Sequence, residues 1–253
     1  MIDLHCHVLP GIDDGPQTME DTFALARTAV ANGIHTIVAT PHVSWEYVDN
    51  SSASIRAKVT EVNGALRAEG IELTVLPGAE VALTRAGELP AEELAQLRLG
   101  GGPWLLVECP LSAAAGAGFA QVLYTLRAQG HQIVLAHPER IHAFLREPDL
   151  LEGFIRDGML GQVTAGSFSG RFGKDVQKFA LHMLEQGWVH NVVSDAHSTR
   201  RRPPSIAAEL LEGGLTQEHV AVLAVQVPQA LLSGGPLPPI PPAPKRRRKL
   251  FGR

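Results

Sequence analysis

Cysteine is scarce in this sequence, and long apolar runs and a strong net charge are missing. Two cysteines among 253 residues are too few for a disulfide framework, which favours a reduced protein and predicts a cytoplasmic location. No stretch approaches the about 18 apolar residues that a membrane helix needs, and polar residues interrupt the N-terminal apolar run, so we expect no signal peptide. A net charge of −4 gives no general attraction to nucleic acid, and we expect no nucleic-acid partner.

What the sequence does contain is a series of short apolar runs, most of which end in a histidine or an acidic residue. Runs this short and this rich in Val, Ile and Leu are typical of buried parallel strands. Segments with helical spacing separate them; one begins at Thr18, a suitable N-cap with Asp21 three residues on, and closes at Gly33. The runs are MIDLHCH, HTIVATPH, IELTVLPGAE, WLLVECP, QIVLAHPER, HNVVSDAH and MLGQVTAGSF, of which the last carries no terminal histidine or acid.

The alternation of strand and helix, repeated seven times, predicts a parallel α/β fold. An irregular, TIM-like barrel explains the sequence better than an open sheet. A Gly-rich phosphate loop is missing after the first strand, and polar groups follow nearly all the strands. In a barrel the carboxyl ends of all strands converge on one face, whereas an open sheet gathers only the groups near its switch point.

The polar groups at these strand ends predict a metal centre. So many carboxylates on one face would repel one another unless cations neutralised them, and divalent metals are the simplest source of positive charge. Asp13 and Asp14 are hard to separate, because one could cap the turn at Gly15 while the other binds metal. The candidate ligands are His5, His7, Asp14, His42, Glu80, Glu108, His137, Asp195 and His197.

Cys6 does not fit the role of a phosphatase nucleophile. A cysteine phosphatase has an arginine six positions after the cysteine, where this sequence has Ile12, and Ala115 stands at the same spacing from Cys109. Cys6 also alternates away from its two histidine neighbours, so we expect it to pack as a small hydrophobic residue.

Two arginines follow strands directly and have two interpretations. Arg140 and Arg202 either balance the charge of the acids or clamp phosphate oxygens, whose geometry matches the guanidinium fork. Trp45 and Tyr47 follow the second strand, and they either line a substrate groove or cover a helix.

Together these motifs resemble the polymerase-and-histidinol-phosphatase (PHP) superfamily. Within it the chain is most similar to the bacterial manganese-dependent protein-tyrosine phosphatases of capsule and exopolysaccharide loci. The resemblance covers residues 1–233, which we expect to form the PHP phosphatase domain. It depends on MIDLHCH, DDGP, TPH, GAE, VEC, AHPER and SDAHSTRRRPP, and the narrower match on IDDGP, the late RPP and VPQALL.

The resemblance implies a distorted barrel of seven β/α units, the PHP fold, with a cluster of three metals, usually manganese. It places the third metal on Asp14 rather than Asp13, and it assigns Arg140 and Arg202 to the phosphate. The implied ligands are His5, His7, Glu80 and Asp195 for one metal, Glu80, Glu108 and His137 for a second, and Asp14, His42 and His197 for a third.

The expected function is hydrolysis of phosphotyrosine by a hydroxide that two metals share, with His42 or His197 as a proton donor. Mixed nitrogen and oxygen ligands suit manganese, iron or zinc better than magnesium or calcium. The resemblance implies that the substrate is the tail of a cognate bacterial tyrosine kinase, and that its dephosphorylation regulates polysaccharide synthesis. The alternatives are a PHP phosphoesterase for a small molecule such as histidinol phosphate, and a metal-containing regulatory module that binds a kinase tail without turnover.

The C-terminal segment, residues 234–253, lies outside the resemblance. Its proline-rich part cannot build a packed helix or strand, so we expect an extended, solvated and disordered tail. The basic run from Lys245 to Lys249 is either simply solvated or contacts an anionic partner or membrane surface.

Overall fold

The computed structural model describes residues 1–112 and 116–244, in which strands and helices alternate along the chain. The strands are β1 Ile2–Cys6, β2 Thr36–Ala39, β3 His42–Val43, β4 Thr74–Pro77, β5 Glu80–Ala82, β6 Trp104–Glu108, β7 Gln132–Ala136, β8 Leu160–Thr164 and β9 Asn191–Val193. The helices are α1 Met19–Ala31, α2 Ser52–Ala68, α3 Leu83–Ala86, α4 Ala91–Gln96, α5 Gly116–Ala128, α6 His142–Arg146, α7 Pro148–Arg156, α8 Ala165–Ser169, α9 Lys174–Glu185, α10 Ala207–Glu212, α11 Gln217–Ala221 and α12 Val227–Ser233. Short 3₁₀ turns cover Leu99–Gly101 and Pro138–Arg140, and a π-helical segment, Val222–Gln226, precedes α12.

All strand pairs are parallel, and they follow the order of the chain around a barrel. One sheet has the strand order β1-β2-β4, and the other has the order β3-β5-β6-β7-β8-β9. The chain passes from the first sheet to the second twice, because β3 follows β2 and β5 follows β4 after only two residues. The barrel closes where a single bridge joins Cys6 to Ala196. The backbone amide of His7 donates to the carbonyl of Ala196 at 2.8 Å, and the backbone amide of Asp195 donates to the carbonyl of His5 at 3.0 Å. Over the described ranges this gives the seven predicted β segments and confirms the distorted, TIM-like barrel.

The helices begin and end where the side chains satisfy the free backbone groups. Thr18 caps α1 in a capping box with Asp21, as the sequence predicts, and Ser51 caps α2 with Ser54. Gly33 follows α1 with φ +78°, a conformation that glycine adopts at no steric cost. These caps fix the lengths of the helices and therefore the positions of the strands that follow.

The barrel is filled by apolar strand residues on the same faces that carry the polar groups at the strand ends. On β6, Leu106 is fully buried and precedes Glu108 by two positions, so both side chains share one face. The pairing of β1 with β2 is irregular between Asp3 and Cys6, and such bulges redirect side chains beside functional sites. A packed apolar interior thus supports the rim on which the polar groups lie.

The described part of the C-terminal segment corrects one expectation. Residues 235–244 have no regular secondary structure, but they are not fully solvated: Pro241 is buried, and Leu237 and Ile240 pack against the apolar cluster that contains Leu4 and Leu231. The prolines keep the segment extended, while its few apolar residues bury surface against the barrel. The basic run from Lys245 to Lys249 lies outside the described residues. None of the helices in residues 1–112 and 116–244 has the length and apolar character that crossing a bilayer requires.

Candidate metal centre

The candidate ligands, scattered over 193 residues of sequence, meet at the carboxyl ends of the strands. Glu80, at the start of β5, lies in the middle of the cluster and is 1% exposed. Its carboxylate oxygens lie 3.3 Å from His5 Nε2, 3.4 Å from His7 Nε2, 3.1 Å from His42 Nδ1 and 2.9 Å from His137 Nε2. Burial opposes its charge, but the nearby imidazoles, His5 first, hold the pKa of Glu80 well below its usual value. Glu80 is therefore an ionised, central carboxylate.

His5 and His7 present two nitrogen lone pairs to one point. The Nδ1 atom of His5 lies 2.8 Å from Gln162 Oε1, and that of His7 lies 2.7 Å from Asp13 Oδ2. Because both partners are acceptors, each ring carries its proton on Nδ1 when neutral, which leaves Nε2 unprotonated. The two Nε2 atoms are only 3.4 Å apart. Burial opposes the charge of His7, but hydrogen bonds to Asp13 and Glu80 raise its pKa to about 9, so a cation between Glu80 and Asp195 would take the place of the proton on Nε2.

A second group of donors lies around Glu80 and Glu108. His137 Nε2 is 3.5 Å from Glu108 Oε1, and His42, Glu80 and Glu108 offer ligand atoms within 4.8 Å of one another. Burial and the charge of Glu80 raise the pKa of Glu108 to about 7. Burial and the charge of Arg140 lower the pKa of His137 to about 4, so its imidazole is neutral at physiological pH. A neutral imidazole beside two carboxylates is in the form that binds a metal.

A third group surrounds Asp14 at the outer edge. The Oδ1 atom of Asp14 lies 3.5 Å from His42 Nε2 and 3.2 Å from His197 Nε2. The Nε2 atom of His197 is buried yet lacks a well-directed hydrogen bond, although a carboxylate oxygen is close by. This arrangement is typical of side chains that converge on a shared ion rather than on each other. Burial opposes the charge of His42, but the hydrogen bonds that it donates to Asp14 and Glu80 outweigh burial and raise its pKa to about 11.

Asp13 and Asp14 have different surroundings. Asp13 is buried and uses its oxygens on His7 Nδ1 and on the amide of Gly15, at 3.0 Å, so it orients an imidazole and caps the turn. Asp14 is 45% exposed and faces the imidazoles of His42 and His197. The geometry therefore favours Asp14 over Asp13 as a ligand.

Two of the candidate ligands adopt an unusual backbone conformation. Within the described ranges, His137 with φ 31° and Asp195 with φ 52° are the non-glycine residues with positive φ. Non-glycine residues in this region carry a strain of about 1–3 kcal/mol, which persists where the surrounding structure requires it, often at functional sites. In both cases the conformation places a side chain at the cluster, with His137 directly after β7 and Asp195 two residues after β9.

Arg140 and Arg202 lie at the edge of the cluster and both reach Asp195. Arg140 Nη1 donates to Asp195 Oδ2, and its guanidinium lies 4.7 Å from the centre of the Phe172 ring. Arg202 donates to the same oxygen at 3.0 Å and lies 3.5 Å from Asp14. Each guanidinium has five N–H donors, so donors remain for an anion at the opening. Both arginines are partly exposed, at 16% and 26% of the side chain.

All nine predicted ligands and both arginines thus belong to one continuous site, and their individual roles stay predictions. Sequence reasoning missed two contributors. Gln162 holds His5, but its run MLGQVTAGSF ends in no histidine or acid and gave no signal. Phe172 lies under Arg140 from a loop between helices.

Comparison with known proteins places the chain in a family. The family profile described as "Capsular polysaccharide synthesis, CpsB/CapC" matches residues 1–233. The tyrosine-protein phosphatase YwqE of Bacillus subtilis (strain 168) is 36% identical over 254 residues, covering 100% of this chain and 99% of YwqE. The tyrosine-protein phosphatase CpsB of Streptococcus pneumoniae is 27% identical over 212 residues, covering 81% and 86% of the two chains.

A solved structure supports the same relation. It comes from crystallographic work on YwqE of Bacillus subtilis and CpsB of Streptococcus pneumoniae, which describes them as metal-dependent tyrosine phosphatases. It superposes with a TM-score of 0.84 at 34% identity and covers 98% of this chain and 100% of the other. The chain belongs to the CpsB/CapC family of capsular polysaccharide synthesis.

Proposed function

We propose that this protein is a metal-dependent tyrosine phosphatase that hydrolyses phosphotyrosine in a protein substrate and acts in capsule or exopolysaccharide synthesis. The observation that carries the proposal is the convergence of nine imidazole and carboxylate ligands with two arginines on one open rim. The imidazoles and carboxylates bind cations, and the arginines bind the oxygens of a phosphate monoester. The relatives named above as tyrosine phosphatases support the choice of substrate class.

The donor set fits three divalent cations. The opposed Nε2 atoms of His5 and His7, and the buried Nε2 of His197 beside Asp14, are positions that a cation would satisfy. Mixed nitrogen and oxygen donors favour manganese, iron or zinc, and we propose manganese. The proposed ligands are His5, His7, Glu80 and Asp195 for one ion, Glu80, Glu108 and His137 for the second, and Asp14, His42 and His197 for the third.

In the proposed mechanism, residues of the chain hold the phosphate and stabilise its negative charge. Arg140 and Arg202 bind the equatorial oxygens, whose negative charge is retained through the transition state. The cations, when bound, supply hydroxide near neutral pH and neutralise charge on the phosphate. A proton for the departing phenolate could come from His42, which is more exposed than His197 (19% against 7% of the side chain), through a ring nitrogen that does not bind the cation.

Substrate preference tests the function. We expect the protein loaded with manganese to hydrolyse a phosphotyrosine peptide and to prefer it clearly over histidinol phosphate, and we expect dialysis against a chelator to abolish the activity. Release of inorganic phosphate from both substrates measures the preference. A clear preference for histidinol phosphate would show a small-molecule phosphoesterase, and binding of the peptide without turnover would show a regulatory module.

Replacing Cys6 tests the class of mechanism. Cys6 is fully buried, and burial, with the charges of Asp3 and Asp195, raises its pKa well above the usual value, so the thiolate is not available as a nucleophile. We expect Cys6→Ser to retain at least about half of the activity, because no covalent cysteine intermediate is needed. Cys109→Ser is the matched control, since Cys109 is also buried and free. An inactive Cys6→Ser protein with full metal content and native stability would point to cysteine chemistry.

The finer assignments are also proposals. We place the protein in the cytoplasm because its two cysteines are free thiols, and we propose the phosphorylated tail of a bacterial tyrosine kinase as the substrate. A flexible tail suits this site because its outer residues are accessible: 45% of the Asp14 side chain, 26% of Arg202 and 21% of Glu108 are exposed.

A further inference from the structure

An aromatic residue stands beside the metal centre without being one of its candidate ligands. Tyr47 lies in the loop between β3 and α2, and its ring is parallel to the imidazole of His42, with an interplanar angle of 9° and 5.8 Å between the ring centres. Asn50 fixes this loop by donating to the carbonyl of His42 at 2.8 Å and to that of Ile12 at 2.9 Å. The position of Tyr47 is therefore tied to the loops that carry the third group of candidate ligands.

Tyr47 is also close to the groups expected to hold the phosphate. Tyr47 is linked to them through His42: its ring is parallel to the imidazole, and His42 Nε2 lies 3.5 Å from Asp14 Oδ1. The same carboxylate lies 3.5 Å from the guanidinium of Arg202. In phosphotyrosine a single bridging oxygen separates phosphorus from the ring. The contacts from Tyr47 through His42 and Asp14 to Arg202 therefore put Tyr47 on a side of the site where the aryl group of a bound phosphotyrosine could lie.

The loop that carries Tyr47 exposes two large apolar residues, Trp45 and Val48, beside two acidic ones, Glu46 and Asp49. Trp45 is 53% exposed and Val48 is 56% exposed, although large apolar side chains are mostly buried elsewhere in the described residues. Trp45 is held in place, because its indole donates to the carbonyl of Thr84 at 3.4 Å and Arg85 lies 4.5 Å above its ring. Ordered aromatic side chains that remain exposed beside a catalytic centre are typical of recognition surfaces.

We propose that Tyr47 is a specificity-determining residue whose ring stacks on the aryl group of the phosphotyrosine substrate. The inference rests on the proposed function and names the contact that makes this site prefer aryl over alkyl phosphate esters. An offset-stacked pair of rings is stabilised both by burial of apolar surface and by the interaction of their charge distributions. A bare phosphate or an alkyl ester lacks the ring and gains nothing from Tyr47.

The test uses two unreactive substrate analogues, phenylphosphonate and methylphosphonate, as competitive inhibitors of the manganese-loaded protein. The ratio of their inhibition constants measures what the aryl ring contributes, independently of the chemical step. We expect Tyr47→Ala to reduce the preference for phenylphosphonate about tenfold, the effect of one well-packed aromatic pair, and to leave inhibition by methylphosphonate unchanged. Tyr47→Phe should keep the preference, and Tyr47→Leu should lose most of it.

Tyr124→Ala is the matched control, because Tyr124 is a partly exposed tyrosine that contacts Phe154 and Asp157 rather than any candidate ligand. An unchanged inhibitor ratio in both Tyr47→Ala and Tyr47→Leu would overturn the inference. So would an equal loss of affinity for both phosphonates together with a loss of manganese, since Tyr47 would then only support His42. A wild-type protein that binds phenylphosphonate but does not hydrolyse phosphotyrosine would contradict the proposed function instead.

Discussion

Replacing Glu80 with glutamine is expected to abolish catalysis. The change removes the one negative charge that lies within 3.4 Å of His5, His7, His42 and His137, while the shape of the side chain is preserved. Glu80 is proposed as a ligand of two cations, so the substitution should release at least one of them. Cations at such sites contribute several kcal/mol of transition-state stabilisation, so we expect turnover to fall by about a thousandfold or more. Turnover of phosphotyrosine peptide and elemental analysis of the same samples measure the effect.

A second buried glutamate provides the control for this variant. Glu209 is 6% exposed, but its partners are Arg171 and Ser169, outside the candidate cluster. Glu209→Gln should therefore keep its metal content, whatever it costs in stability. If Glu80→Gln retained both full metal content and full turnover, Glu80 would not be a ligand, and the proposed arrangement of two cations on one carboxylate would be wrong.

Replacing Arg140 with alanine is expected to lower turnover and to leave the metal content intact. The guanidinium lies between Asp195 and the ring of Phe172, with 16% of the side chain exposed toward the opening. A charged donor that meets negative charge in the transition state contributes about a hundredfold to a thousandfold in rate, so we expect a loss of this size. Arg140→Lys should recover only part of it, because lysine keeps the charge but not the planar pair of donors.

Arg146, an exposed arginine at the end of α6, is the control, and Arg146→Ala should retain full turnover. The measurement is kcat for a phosphotyrosine peptide, combined with manganese content. Loss of manganese from Arg140→Ala would show that the arginine mainly holds Asp195 in place, and normal turnover would remove Arg140 from the site.

Most of the barrel and the candidate cluster follow from the sequence, for a simple physical reason. In a parallel barrel every strand ends on the same face, so a residue such as His137 can be placed beside Glu80 without knowledge of any contact between them. The histidines and acids that end the apolar runs mark these ends, and the glycines after the helices, such as Gly33 after α1, mark where the next strand is about to begin.

Contacts that depend on the exact course of the chain could not be predicted. Gln162 reaches His5 because only β9 separates β8 from β1 once the barrel closes, and no local pattern marks that pair. The sequence allows Tyr47 either to line a substrate groove or to cover a helix. Only the loop conformation, which Asn50 fixes, brings its ring parallel to the imidazole of His42. Ile240 packs against the barrel although proline-rich segments usually remain solvated.

The closure of the barrel between Cys6 and Ala196 has a consequence for the order of events during biosynthesis. The first strand carries His5 and His7, but their partner Asp195 is 190 residues away from His5 and reaches the ribosome exit much later. Contacts that close such long loops form late in folding. A nascent chain can therefore assemble most of its β/α units while its metal-binding face is still open, and it gains its full affinity for cations only after the last strand has been released and docked against the first.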